Sequence, residues 1–272
     1  MTPETLECVV NVSEGRDLGL VEEMAGCTGS SLLDVHSDPF HNRSVLTLGG
    51  PEVEDAARSL ARWVVGHLDL GSHRGVHPRI GTLDVVPFVP LGSDDLGEAL
   101  AARDRFGSWA GEVLELPCFV YGPERELPEL RREAFATLAP DYGPPTAHPR
   151  AGGCAVGARG VLVAYNLWLS STDLALARSV ASRMRSPAIR TLGLDVGGHA
   201  QISCNLTDPL RFGPADAYDT AAGLLAGSGT SIARAELVGL VPHAVLSTTP
   251  RSRWDELGIG EERTIEERLA RR

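Results

Sequence analysis

Short apolar runs that favour β-strands alternate along the chain with longer stretches whose apolar residues recur at helical spacing. In the first part of the chain, such runs predict strands at residues 7–12, 31–35, 44–49, 84–90 and 118–121. Helical spacing predicts helices at residues 18–25, 51–69, 94–116 and 127–138. This alternation indicates helices packed on a sheet.

The second part of the chain repeats this style without a fixed sequence period. Strands are predicted at residues 161–169, 200–206 and 232–241, and helices at residues 171–185 and 215–226. We therefore expect two domains, residues 1–161 and 162–272. The predicted fold is α/β, of the layered α+β kind, with two subdomains that each carry a mixed β-sheet covered by helices.

Charge and composition remove several classes of function. The 272-residue chain has 25 basic and 36 acidic residues, a formal net charge of −11. This balance argues against general nucleic-acid binding, which needs a basic stripe on the surface. All 25 basic residues are arginine, which excludes a Schiff-base lysine and a phosphate-loop lysine.

The cysteines and the hydropathy of the chain indicate the cellular compartment of the protein. Five scattered cysteines without a Cys-x-x-Cys pair predict neither a disulfide framework nor a structural zinc site. The N-terminal residues do not have the pattern of a signal peptide, so we expect none, and no apolar run is long enough to predict a membrane span. We expect a cytoplasmic protein without a membrane partner.

Histidines are concentrated in the first third of the chain, at His36, His41, His67, His73 and His77. Since histidine titrates near neutral pH, this cluster indicates proton transfer or metal ligation. For His67, which lies in a predicted helix, we favour a structural role.

Two spacings bear on the metal alternative. His73 and His77 are four residues apart, as in zinc-binding helices, but Gly75 and Pro78 argue against a regular helix there. A second possible ligand set is Asp34, His36 and Asp38. These are alternate residues at a predicted strand end, so all three could lie on one face of the strand. A loop cap is the alternative for Asp38, because Asp-Pro is a typical turn pair. We expect no metal.

Arginines flank the same loops, at Arg43, Arg74, Arg79 and Arg159. Guanidinium groups suit bidentate capture of carboxylates, so these residues indicate a small carboxylate-bearing ligand. Pairing with a neighbouring acidic side chain is the alternative for each of them. The proline-rich residues 143–152 exclude a helix or a central strand and predict an extended loop that lines a ligand site.

A set of segments spread over nearly the whole chain forms a more specific pattern. They are residues 7–15 (ECVVNVSEG), 33–35 (LDV), 42–45 (NRSV), 75–84 (GVHPRIGTLD), 139–144 (APDYGP), 157–159 (GAR), 164–166 (AYN), 201–205 (QISCN) and 237–242 (LVGLVP). In this order they resemble the glutamate formimidoyltransferase family, including the transferase part of formiminotransferase-cyclodeaminase. The His-Pro-Arg segment is the most distinctive.

The resemblance implies two subdomains that face each other across a ligand cleft, often in a homodimer. It implies transfer of a formimidoyl group between N-formimino-L-glutamate and tetrahydrofolate, which is a co-substrate. His77 matches the catalytic histidine of the family, whereas His36 stands where mammalian members have an aspartate. The folate-binding stretch of the family matches Gly143, Pro144, Pro145, Thr146, Ala147, His148, Pro149, Arg150, Ala151 and Gly152.

Transfer between two nitrogens requires a proton to leave the attacking nitrogen and another to reach the departing one. We expect His77 to do both, since its ordinary pKa is about 6.5. His36 and Asp38 are expected to support it, and Asn42, Arg43 and Arg79 to bind the substrate. The alternatives are formyl transfer, a different amine acceptor, and a folate-binding homologue without activity. A metal-dependent hydrolase ranks below these.

Overall fold

The computed structural model describes residues 6–271 of the chain. It contains two compact units, Met1–Gly160 and Val161–Arg272. Each unit has one sheet with helices packed on it, which confirms the predicted α/β fold of two subdomains. No helix within residues 6–271 is both long enough and apolar enough to cross a membrane.

The first unit is built on a six-stranded sheet. Its strands are β1 (Leu6–Val12), β2 (Leu32–Asp38), β3 (Arg43–Gly49), β4 (Leu83–Pro90), β5 (Cys118–Tyr121) and β6 (Cys154–Ala158). Its helices are α1 (Leu18–Gly26), α2 (Val53–His67), α3 (Gly97–Val113) and α4 (Leu127–Glu133). The strand order is β2-β3-β1-β4-β6-β5. β1 is antiparallel to β3 and β4, and β4, β6 and β5 are parallel, so the sheet is mixed as predicted.

The apolar stripe of α2 holds this helix against the sheet. All six residues that the helical spacing identified are buried, namely Val53, Ala56, Ala57, Leu60, Ala61 and Val64. In the same core, the rings of Phe88 on β4 and Phe106 on α3 lie 5.9 Å apart between centroids. Packing of the helices therefore holds the sheet in place. The sheet in turn sets the positions of its strand ends, which carry polar residues.

Three neighbouring strands bring distant parts of the chain to one end of this sheet. Val12 at the end of β1 pairs with Ser44 on β3 and with Leu83 on β4. The starts of β3 and β4 therefore flank the end of β1. Arg43 and Asp84 stand at those two starts, although 41 residues separate them in the sequence.

The second unit has a four-stranded sheet in the order β10-β7-β9-β8. Its strands are β7 (Val163–Leu169), β8 (Ile189–Val196), β9 (His199–Leu206) and β10 (Ile232–Val238). Its helices are α5 (Leu174–Met184), α6 (Pro214–Leu225), α7 (His243–Ser247), α8 (Trp254–Leu257) and α9 (Ile265–Ala270). The carboxylate of Asp173 caps α5 by accepting the Leu176 N–H at 2.9 Å, at the helix start that the sequence indicates.

Several details differ from the sequence predictions. The second sheet is antiparallel throughout instead of mixed, because all three of its strand pairs are antiparallel. One of these pairs, β8 with β9, is a hairpin across Gly197 and Gly198, which both have positive φ. β6 and β8 were not predicted, because their glycines interrupt the apolar runs. The helix predicted at residues 127–138 ends at Glu133, and Phe135 follows with a φ of 62° that no helix contains.

Candidate active site

Two loops of the first unit bring His41 and His77 together. The turn between β2 and β3 carries His41, and the segment between α2 and β4 carries His77; their ring centroids lie 6.0 Å apart. The second loop passes so close to the first that a Cβ on Gly75 would lie 2.2 Å from the His41 carbonyl oxygen. Only glycine fits there, because any side chain would separate the loops.

Asn42 links these two loops to a third loop, the one between β1 and α1 that contains Gly15. Its Oδ1 accepts the Gly15 N–H at 3.0 Å, and its Nδ2 donates to the Arg74 carbonyl at 3.1 Å. Its backbone has a φ of 47°, a conformation that asparagine tolerates better than most residues. The predicted substrate-binding role of Asn42 stays a prediction, since both ends of its amide bond to the protein.

His73 is a buried residue that connects the same loops. Its Nε2 lies 2.7 Å from the Asn42 carbonyl oxygen, so Nε2 carries the proton and Nδ1 is left to accept a hydrogen bond from Arg79. Burial, together with the Arg79 charge, lowers the pKa of His73. A neutral His73 therefore supports the loop and takes no proton from a ligand.

Arg79 stabilises the loop that carries His77 by hydrogen bonds within that loop. One of its terminal nitrogens donates to His73, and the other donates to the carbonyl oxygens of Gly75 and His77. The sequence predicted that Arg79 binds substrate, but these contacts first fix the backbone on both sides of His77. Arg74 and Arg159 likewise bond to main-chain carbonyls near them in sequence.

His77 itself is half-buried and has one ring nitrogen directed at the protein. Nδ1 lies 2.8 Å from the Pro78 carbonyl oxygen, so Nδ1 carries the proton of the neutral ring and Nε2 remains a base. Burial and then the charges of Arg43 and Arg131 hold the pKa of His77 well below its ordinary value. The imidazole is therefore neutral near pH 7.

Behind His77 lies a buried group of charges centred on Asp84. Its Oδ2 accepts hydrogen bonds from Arg43 Nη1 at 2.8 Å and Arg131 Nη2 at 2.6 Å, and its Oδ1 accepts the Ile80 N–H at 2.8 Å. Arg43 also donates from Nε to Asn11 at 3.1 Å. Burial alone would raise the pKa of Asp84, but the two guanidiniums outweigh burial and lower it.

The two residues expected to support His77 have other contacts. Asp38 Oδ1 accepts the backbone N–H groups of Phe40 and His41 at 2.8 and 2.7 Å, which is the loop cap weighed for it from the sequence. His36 pairs with Val45 across β2 and β3. Their support of His77 stays a prediction.

The structure also bears on the metal alternative and on His67, the remaining histidine of the sequence cluster. Within residues 6–271 there is no group of three or more His, Cys, Asp or Glu side chains arranged to hold a metal ion. His67 stacks on Trp63 at 4.5 Å between ring centroids and bonds to its carbonyl oxygen through Nδ1. These contacts are of the structural kind that we favoured for His67.

The proline-rich stretch at residues 143–152 meets the histidine loop directly. The Arg150 carbonyl accepts the Leu70 N–H at 2.7 Å, and the Ala151 carbonyl accepts the Thr82 N–H at 2.9 Å. Ala151 and Gly152 are buried at this contact, whereas Pro145, Thr146 and Ala147 are exposed. One end of the stretch is thus anchored beside the loop of His77, and its middle is open to solvent.

Sequence reasoning missed Asp84 and Arg131 as site residues. A signal for Asp84 exists, because a carboxylate at the start of an otherwise apolar, fully buried strand needs a cationic partner. The identity of that partner has no local signal, since Arg131 lies 47 residues further along the chain. Arg43 was identified, and its contact with Asp84 is the acidic pairing weighed as the alternative.

Comparison with known proteins identifies the family. Residues 5–159 match the formiminotransferase domain, N-terminal subdomain. Glutamate formimidoyltransferases from Streptococcus pyogenes and Thermoplasma acidophilum are both 31% identical to this chain; the alignments cover 89% and 97% of it, and 90% and 97% of those proteins. The pig formimidoyltransferase-cyclodeaminase is 32% identical over 89% of the chain, which spans 51% of that protein. The chain belongs to the glutamate formimidoyltransferase family of transferases.

Proposed function

We propose that this protein transfers a formimidoyl group between N-formimino-L-glutamate and tetrahydrofolate, giving 5-formimidoyltetrahydrofolate and glutamate. The observation that carries the proposal is the state of His77, a neutral imidazole with Nδ1 bound to Pro78 and Nε2 left as a base. Similarity to the glutamate formimidoyltransferases supports the class of transferred group.

The proposed reaction uses one histidine twice. N5 of tetrahydrofolate attacks the formimidoyl carbon, and Nε2 of His77 accepts the proton that N5 loses. The resulting tetrahedral intermediate collapses when protonated His77 gives that proton to the glutamate nitrogen, and the bond between this nitrogen and the formimidoyl carbon breaks. The base is regenerated, and no proton is gained or lost overall.

The surroundings of His77 suit both halves of this cycle. A low pKa keeps the imidazole unprotonated before attack, and the same low pKa makes the imidazolium a strong acid once formed. Arg79 holds the backbone carbonyls of Gly75 and His77, and Asp84 holds the Ile80 N–H, so the loop is fixed on both sides of the ring. Such fixation is what a positioned acid or base requires.

In this proposal the exposed part of residues 143–152 contacts the folate. The support is its position, since hydrogen bonds from Leu70 and Thr82 tie the end of this stretch to the histidine loop. A ligand on Pro145, Thr146 or Ala147 would thus be close in the fold to the segment that carries His77. Proline limits the freedom that this stretch loses on binding.

The reaction can be tested by mixing the protein with tetrahydrofolate and N-formimino-L-glutamate and following the folate absorbance. We expect turnover with this donor and none with N-formyl-L-glutamate, which separates formimidoyl from formyl transfer. A folded protein that binds tetrahydrofolate but gives no turnover with N-formimino-L-glutamate would contradict the proposal.

The pH dependence follows from the lowered pKa of His77. Because the folded pKa is below the ordinary value, the base form persists as the pH falls through about 6.5. We expect the acid limb of kcat/KM well below that pH, and an NMR titration of the His77 imidazole should show the same pKa. The signal is assigned by its loss in His77→Ala. A titration midpoint at or above that of a histidine peptide would refute this expectation.

A further inference from the structure

The charges around His77 do not balance. Three guanidiniums, those of Arg43, Arg79 and Arg131, lie within electrostatic reach of one carboxylate, Asp84. Glu14 and Arg16, the next charges along these loops, act on His73. Since arginine stays protonated in proteins, this site holds an excess of positive charge. A partly buried positive site favours an anionic ligand.

Two of these arginines also have donors left over. Arg43 uses Nε for Asn11 and Nη1 for Asp84, and Arg131 uses Nη2 for Asp84. Within the described part of the chain, neither Arg43 Nη2 nor Arg131 Nη1 donates a hydrogen bond, and the buried Nε of Arg131 also has no partner. Arg79, in contrast, has both terminal nitrogens engaged by the loop.

Both guanidiniums converge on the same oxygen, Oδ2 of Asp84, and so lie beside each other. Asp84 therefore orients them and cancels only one of the two charges. The pair can hold a second carboxylate by charge-assisted hydrogen bonds of the kind that arginine forms best. The same carboxylate accepts the Ile80 N–H at 2.8 Å, so the pair is tied to the segment that carries His77, and both charges lower the pKa of His77.

We propose that Arg131, together with Arg43, binds the α-carboxylate of the amino-acid substrate. The inference rests on the proposed function for the identity of that substrate. In N-formimino-L-glutamate, the nitrogen that His77 protonates is bonded to the carbon that bears the α-carboxylate. The glutamyl carboxylates of a folate lie at the far end of that molecule from N5. A carboxylate site beside His77 therefore suits the amino acid.

Binding of L-glutamate, the product of the proposed transfer, tests the site without tetrahydrofolate. NMR titration of the protein should show binding of L-glutamate and of L-glutamine, which keeps the α-carboxylate and has a neutral side chain. 4-Aminobutyrate, which lacks only the α-carboxylate, should bind at least about tenfold more weakly. 4-Aminobenzoyl-L-glutamate represents the folate tail, and its binding should not depend on Arg131.

Variants in one helix supply the matched comparison. R131Q should weaken L-glutamate binding at least about tenfold and raise the KM for N-formimino-L-glutamate similarly, with an unchanged KM for tetrahydrofolate. R132Q is the control, because exposed Arg132 lies on the same helix and, among residues 6–271, its side chain donates a hydrogen bond only to the Pro128 carbonyl oxygen. R131K keeps the charge that Asp84 needs and should show a smaller change in the same direction, so it serves if R131Q does not fold.

The outcomes separate this inference from the proposed function. Binding of L-glutamate that depends on Arg131, without turnover of tetrahydrofolate, would keep the carboxylate site and overturn the reaction. Turnover with equal KM values in the wild type, R131K and R131Q would keep the reaction and overturn the site. Tighter binding of 4-aminobutyrate than of L-glutamine, or an effect of R131Q on 4-aminobenzoyl-L-glutamate alone, would also overturn it.

Discussion

Replacing His77 with alanine is expected to lower kcat for formimidoyl transfer by about 10²–10⁴-fold, the range by which a positioned acid or base accelerates a reaction. The loss should fall on kcat because the proposed role of the imidazole is to transfer a proton during the reaction, whereas the proposed carboxylate and folate contacts belong to other residues. Steady-state kinetics with both substrates measure it. The folded state should survive, since the ring is half-buried and its Nδ1 bonds to the carbonyl of the next residue.

His67→Ala is the matched control for this variant. His67 lies at the end of α2, where its ring stacks on Trp63 and its Nδ1 bonds to the Trp63 carbonyl oxygen. The His67→Ala variant should keep the wild-type kcat. Equal activity of His77→Ala and His67→Ala would remove His77 from the mechanism, and His41, whose ring lies 6.0 Å from that of His77, would be the next residue to test.

Elements with strong local signals could be predicted from the sequence. The stripe of α2 is one example, because each apolar residue at helical spacing faces the same side and is buried. The loop that carries His77 is another, since Gly75 and Pro78 disfavour a helix there, and the structure shows none. In both cases the information lies within one stretch of chain.

The charge cluster could not be predicted, because it depends on which strands become neighbours. Arg43 meets Asp84 only because β3 and β4 both pair with β1. Arg131 reaches the same carboxylate from a helix 47 residues away. Sequence spacing does not encode this order of strands, and any of 25 arginines could have been the partner of a buried aspartate. The contact between the proline-rich stretch and the histidine loop has the same non-local origin.

Replacing Asp84 with asparagine is expected to lower the free energy of unfolding by about 3–5 kcal/mol, the usual cost of removing one partner from a buried ion pair. The variant leaves Arg43, which is buried, and Arg131 facing an uncharged amide. Transfer activity should be lost as well, since the same carboxylate holds the Ile80 N–H next to the His-Pro-Arg segment. Urea denaturation followed by circular dichroism measures the first effect, and the folate assay measures the second.

Asp55→Asn is the control for charge removal at the surface. Asp55 is 81% exposed and pairs with Arg58 one turn away on α2, so its loss should cost at most about 1 kcal/mol.

Acid should reproduce the Asp84 effect in the wild type. Because the folded pKa of Asp84 is lowered, its stabilisation is complete above the unfolded value of about 3.9 and disappears as the pH falls through the folded pKa. If Asp84→Asn were as stable as Asp55→Asn, the guanidiniums would have to find another counter-charge, and the carboxylate would not be the centre of the site.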